Sequence, residues 1–185
     1  MRVVRSVSYW LLFAPALAGA ADKTPVPPLT AVHVNASRTV RLHTPAGWTV
    51  ENREGQPEVT EARGDGLIVR ILRREGELGL DSLHVECMLV RLAGAMETSP
   101  QVDYEYDFVS GQMGERRALD SAFMTTYDQP VAGSPRWRQR NVTLVGGGES
   151  VCVIGYAPAD LWKKSKPARS LLQAVLAGVE LAPWH

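Results

Sequence analysis

The residues of this chain with the widest chemical reach are its two cysteines, Cys87 and Cys152, and its four histidines. The run His84-x-Glu86-Cys87 sets an imidazole, a carboxylate and a thiol within one helical turn, similar to part of a zinc-deaminase signature. That chemistry needs a downstream Pro-Cys-x-x-Cys to complete the ligand set around an activated water, and only Cys152 remains downstream. His33, His43 and His185 lie far off in sequence with no ligand spacing. The His84-x-Glu86 run therefore reads as an exposed helix face, and no metal or other cofactor is expected. A thiolate pair of Cys87 with His84 competes with oxidation of Cys87 by Cys152, and an even cysteine pair in an oxidising compartment reads first as a disulfide. Two buried free thiols are the other reading.

Serine chemistry finds no framework either. The chain has no Gly-x-Ser-x-Gly elbow, and no serine is visibly tied to a histidine and a carboxylate. Gly146-Gly147-Gly148 lacks the Lys-Ser/Thr ending of a phosphate loop and reads as a hairpin turn that needs positive φ. No catalytic residue is assigned. Two charged stretches remain. Arg136, Arg138 and Arg140 share one side of a strand, with Trp137 inside the run. Asp103, Glu105 and Asp107 share one side of another. Arg136, Trp137, Arg138 and Arg140 are the candidate docking surface; the plainer reading is solvated faces and cross-strand ion pairs, with Trp137 in the core.

The elements that position these residues follow from pattern. Thr39 to Thr44 alternates as a strand, and Pro45-Ala46-Gly47 turns the chain. Residues 49–52, 58–63 and 67–73 continue as short strands, separated by Glu54-Gly55 and Gly64-Asp65-Gly66, which favours an antiparallel meander. Over residues 81–95, Asp81 is a good N-cap and Leu83, Cys87 and Val90 fall at helical spacing, so the segment reads as a helix. Gly111 to Gly114 then turns into a long strand through Arg117, Leu119, Ser121, Phe123, Thr125 and Tyr127. Arms 137–145 and 150–156 form a hairpin about the triple glycine, and the second arm is apolar on both faces. Pro167 opens a closing helix whose stripe is Leu171, Leu172, Val175, Leu176 and Val179. The order strands, helix, strands, helix is α+β, an antiparallel β-sheet flanked by helices. Trp48 reads as a packing residue. The Cys87–Cys152 bridge requires the middle helix to rest on the strand that carries Cys152.

Residues 1–20 read as a signal peptide. Arg2 and Arg5 form the positive end, Tyr9 to Ala14 the apolar run, and Ala18-Gly19-Ala20 the cleavage site. The apolar stretch, broken by Pro15, is too short to cross a bilayer core of about 30 Å. Residues 21–31 form a Pro-rich leader, and 32–185 a single domain. The chain has 20 Lys and Arg against 20 Asp and Glu, and loss of Arg2 and Arg5 leaves the mature form slightly acidic. That balance gives no electrostatic case for nucleic acid or an anionic membrane as partner. Its Ala, Arg and Gly content fits a bacterial coding sequence rich in GC.

Three stretches resemble the PsbP-like family. Val40-Arg41-Leu42-His43-Thr44-Pro45-Ala46-Gly47-Trp48 is similar to that family's opening strand and Pro-x-Gly-Trp turn. Gly111 to Asp120 resembles its mid-chain glycine turn, and the closing Gly-rich hairpin with a Pro-initiated helix is the third. Together they cover about residues 32–182. The resemblance implies an α-β-α sandwich and brings no catalytic residues; the cysteine pair and the Arg-rich strand depart from it. The leading expectation is an exported, non-enzymatic domain that binds another exported or envelope protein. The alternative is a secreted hydrolase whose site is assembled from scattered residues. Periplasmic or extracellular destination and oligomeric state are left open at this point.

Overall fold

The computed structural model describes residues 25–53, 56–76, 78–90, 105–107, 121–129, 131 and 135–183. Two antiparallel sheets form the frame. The smaller has three strands in the order β1-β2-β10, from β1 (Ala31–Val34), β2 (Val40–Thr44) and β10 (Val179–Leu181). The larger has seven strands in the order β3-β4-β5-β9-β8-β7-β6. Its members are β3 (Thr49–Arg53), β4 (Gln56–Gly64), β5 (Leu67–Glu75), β6 (Glu105–Asp107), β7 (Ser121–Gln129), β8 (Trp137–Gly146) and β9 (Glu149–Pro158). The meander read for residues 49–73 is present as β3-β4-β5. It joins the later strands along β5 and β9, in register from Ile68 opposite Tyr156 to Glu75 opposite Glu149.

β2 does not extend that meander. At Gly47, with φ 86°, the chain leaves the small sheet for the large one. A left-handed residue is cheap there only because glycine has no Cβ. The hairpin between β8 and β9 is tighter than the triple glycine alone indicates. Gly146 stays in the ladder opposite Glu149, and Gly147 and Gly148 hold φ of 60° and 78°. Two successive positive φ values match the twist of the flanking strands.

β9 explains the layering. Val151 and Val153 join one apolar cluster with Leu171, Leu172, Val175 and Leu176 of helix α3 (Lys166–Ala177). Cys152, Ile154 and Tyr156 point the other way and join Leu83 and Cys87 of helix α1 (Leu80–Leu89). A strand covered on both faces reads as continuous hydrophobicity. On the α3 side, a Cβ at Gly155 would lie 2.9 Å from Leu172 Cδ1, so glycine lets the helix sit close. Val26 and Leu29, which precede β1, pack on this larger cluster as well.

Three local expectations need correction. Asp81 is not the cap of α1: the N-cap is Gly79, without a side-chain bond, and Asp81 lies in the first turn. There its charge still favours the positive helix end. Val179 does not continue the stripe of α3, because the helix stops at Gly178 and Val179 is buried in β10 opposite Leu42. Residues 159–164 form a short helix, α2 (Ala159–Lys164), for which no element was expected. Residues 91–95 and the 111–120 turn lie outside the described residues.

Candidate functional site

The cysteines are joined. Cys87 and Cys152 form a disulfide with their Cα atoms 5.6 Å apart, tying α1 to β9 across 65 positions of sequence. Neither sulfur is then a thiolate. His84 is the correction in this region: it is buried rather than on an exposed helix face. Three residues before Cys87, it shares the inward side of α1, and its Nδ1 lies 2.9 Å from Thr143 Oγ1 of β8. Burial pushes its pKa down, against the opposing charge of Asp81. Glu86 points outward, to Arg74 at 3.0 Å. Glu86 thus diverges from His84 and Cys87, which at i,i+3 spacing share the inward side, and Cys87 is committed to the disulfide. Among the described residues, no three His, Cys, Asp or Glu side chains converge on one point.

The same side of the large sheet carries buried polar side chains that no motif marked. Gln139 Nε2 donates to Asn141 Oδ1 at 2.8 Å along β8. Further across, Arg70 holds Glu61 with two bonds of 2.9 and 2.6 Å, and Arg63 adds a third at 2.6 Å. Burial alone would raise the Glu61 pKa, but the hydrogen bonds and charges of Arg70 and Arg63 outweigh it and hold the carboxyl below its ordinary value. Neutralising partners are what make such a buried carboxylate tolerable.

β8 separates the four residues of the candidate docking surface. Arg136 is exposed just before the strand, and its carbonyl accepts from Ala159 N at 2.8 Å, fixing the start of α2. Trp137 points to the other face and packs half-buried against the Cys87 and Tyr156 cluster. Arg138 pairs with Asp128, its cross-strand neighbour on β7, at 2.7 Å. Arg140 donates from Nε to Met124 Sδ at 2.9 Å, and its guanidinium lies over the ring of Trp162, 6.0 Å from the centroid. The cross-strand pair and the solvated arginine of the plainer reading are therefore both present. The backbones of Glu105 and Asp107 pair with β7, opposite Thr126 and Met124, while Asp103 lies outside the described residues.

Arg138 also borders an open groove of about 640 Å³ between the end of β8 and helix α2. Asp128, Asp160, Trp162, Lys163 and Arg169 complete its walls. Arg169 reaches back from α3 and donates to the carbonyls of Trp162 and, at 3.2 Å, Lys163. A cation on the last carbonyls of a helix satisfies acceptors that have no internal partner. Asp160 is held loosely by Lys164 at 3.4 Å. The arrangement is a shallow, mixed but cation-rich wall around an indole, with the chemistry of a carboxylate-bearing, partly apolar partner. Trp162, Lys163 and Arg169 were not among the expected site residues. A signal for α2 was nevertheless available, since Asp160 in a first turn and Lys163-Lys164 in a last turn complement a helix dipole.

No protein-family model matches the chain, and no curated protein is similar to it in sequence. Solved structures do match. The solution structure of cyanobacterial PsbP (CyanoP) from Synechocystis sp. PCC 6803 is 13% identical, covering 89% of this chain and 99% of that one at a TM-score of 0.49. The 1.9 Å crystal structure of the Saccharomyces cerevisiae Ran-binding protein Mog1p is 11% identical, covering 82% and 94% at a TM-score of 0.50. At such identities the likeness is one of fold, an antiparallel sheet with helices on both faces. The fold is the PsbP-like one that the sequence resembles.

Proposed function

We propose that this chain is an exported, non-enzymatic domain that binds another envelope protein, and that the groove between β8 and α2 receives an acidic segment of that partner. The observation that carries the reading is Trp162 lying beneath Arg140 with Arg138, Lys163 and Arg169 around it. An amphipathic ring among cationic side chains, with Lys163 in no ion pair among the described residues, is the composition of an interface anchor rather than of a catalytic cleft. The same fold serves binding in Mog1p, a Ran-binding protein. Export is supported by the basic, apolar and small-residue sequence of residues 1–20 and by the Cys87–Cys152 bridge, a bond that persists in oxidising compartments. No helix among the described residues is long and apolar enough to cross a membrane. On this reading residues 1–20 are removed, 21–31 form the leader and 32–185 are one domain.

The test uses mature protein beginning at Ala21 as bait in extracts of its native envelope, beside the double variant Arg136→Glu/Lys163→Glu. Neither of those side chains makes an ion pair among the described residues, so the variant should melt within about 2 °C of the parent. A partner retained by the parent and lost by the variant is the expected result. Equal retention refutes the groove, and a secreted form that still begins at Met1 refutes cleavage.

A further inference from the structure

β1 is an outer strand with nothing on its far side among the described residues; it pairs with β2 alone. Its register fixes which backbone groups face outward. Asn35 N donates to Val40 O at 3.0 Å, and Asn35 continues the pairing of His33 with Leu42 and Ala31 with Thr44. In an antiparallel ladder only alternate residues exchange bonds, so the N–H and C=O groups of Val32 and Val34 point away from β2. Their side chains are 53% and 45% exposed. An open edge that also shows apolar side chains is the feature that folded proteins ordinarily blunt.

Behind this edge lies a cavity of about 300 Å³ between the two sheets. Val40 and Leu42 of the small sheet face Val50 and Ile71 of the large one across it, and β1 and β3, the outer strands, both contribute to its wall. The polar side chains that border it are engaged within the chain. The Asn35 carboxamide oxygen accepts from Thr39 N and Val40 N, both at 2.9 Å. Thr60 donates to Asn52 at 2.8 Å, and Arg73 holds Glu149 at 2.6 and 2.8 Å. The cavity wall thus joins the aliphatic side chains of Val40, Leu42, Val50 and Ile71 to polar side chains already engaged within the chain.

We propose that the free edge of β1 and this cavity together take up a short extended segment of a partner protein, added as a fourth strand, with one aliphatic side chain entering between the sheets. The site is distinct from the β8–α2 groove. In the added strand, the residue level with His33 faces the cavity, because His33 and Leu42 share that side of the sheet. Its two neighbours lie beside Val32 and Val34, where β-branched side chains fit best. The edge is short at both ends: Pro27 and Pro28 precede it without N–H groups, and the turn at Asn35 closes it. Two copies joined through edges of four residues would bury far less than the roughly 800 Å² per partner of a stable dimer, which favours a segment over a second copy.

The experiment titrates the intact mature protein with capped pentapeptides of sequence Thr-Val-X-Val-Thr, where X is Leu or Asp, followed by amide NMR shifts. The leucine peptide should bind and move the amides of Val32, Val34, Leu42 and Val50, with the aspartate peptide at least tenfold weaker. N-methylation at successive peptide positions should alternate between a loss of roughly tenfold and no effect, because only alternate amides face β1. Val32→Pro removes an outward N–H and leaves the bonds to β2 intact, so it should weaken the leucine peptide by roughly tenfold without unfolding the domain. No binding by the leucine peptide up to about 1 mM, or methylation without alternation, overturns the proposal. A dimer in sedimentation that Val32→Pro dissolves also overturns it, by giving the edge to a second copy.

Discussion

Replacing Cys87 and Cys152 together by alanine would open a covalent loop of 65 residues, and the size of the effect can be worked from the packing around it. The chain entropy restored to the unfolded state corresponds to about 4 kcal/mol. α1 is otherwise held by a few noncovalent contacts, among them Tyr127 Oη donating to the Met88 carbonyl at 2.7 Å and His84 against Thr143. Its buried residues are Leu83, His84 and Cys87, whereas Val85 and Leu89 are 58% and 64% exposed. Full burial of one leucine stabilises by about 2 kcal/mol, so the covalent tie exceeds the aliphatic contact that remains. For a domain of this length, each kcal/mol shifts the melting temperature by about 2–4 °C, which gives a fall of about 8–16 °C. The assay is thermal melting by circular dichroism of the parent with and without reductant, beside the double alanine variant. Reductant should lower the parent and leave the variant unmoved, and α1 amides should exchange faster than those of β9. Denatured, unreduced protein should show no free thiol. A parent that melts within about 3 °C of its reduced form would refute the reasoning, because the noncovalent contacts of α1 would then hold it as well as the disulfide does.

Three further outcomes follow from the same geometry. A Cβ at Gly64 would lie 2.2 Å from Trp48 Cδ1, and that indole is pinned by its bond to Asp65 at 2.9 Å, so Gly64→Ala should cost about 2–3 kcal/mol in urea unfolding and be partly relieved by Trp48→Leu. Burial holds the His84 pKa below its ordinary 6.5, so the unfolded chain takes up the proton first; stability present above pH 6.5 should fall as pH drops through the folded value, and His84→Gln should flatten that part of the curve. Glu61 also has a lowered pKa, because Arg70 and Arg63 overcome its burial, so its contribution is present above pH 4.5 and lost as pH falls through the folded value; urea midpoints of Glu61→Gln should lack that acid loss and be lower than the parent's at neutral pH.

Periodicity carried much of this fold. The alternation of Val40 to Thr44 and the doubly apolar run of β9 were legible because each reflects how many faces a strand must bury. The bridge was legible for a related reason: Cys87 lies on the stripe of α1 and Cys152 on a buried strand, so one packing decision brings them together. What periodicity could not show is which sheet a strand joins. β2 and β3 are separated only by a turn, yet the positive φ of Gly47 sends them to different sheets. Likewise β10 was hidden because Val179 satisfies a helical stripe as well as a strand, and the choice is made at Gly178. There a Cβ would lie 3.2 Å from His43 Cβ and Leu29 Cδ1, so a larger residue would require those neighbours to give by a few tenths of an ångström.

The site residues illustrate a sharper limit. Alternation placed Arg136, Arg138 and Arg140 on one side of β8 and Trp137 on the other, but strand geometry says nothing about the element packed over that side. Helix α2 brings Trp162 to Arg140 from 22 positions away, and Asp128 reaches Arg138 only because β7 and β8 are in register at that pair. The error over His84 has the same origin. A histidine next to Val85 and Glu86 looks solvent-facing until the helix phase is set, and the phase is set by Cys87. Once its sulfur is committed to β9, the residue three positions earlier must turn inward, where Thr143 meets it. One covalent bond thus decides which of the neighbouring polar side chains is buried, and a sequence motif that lists those side chains in order carries no information about that choice.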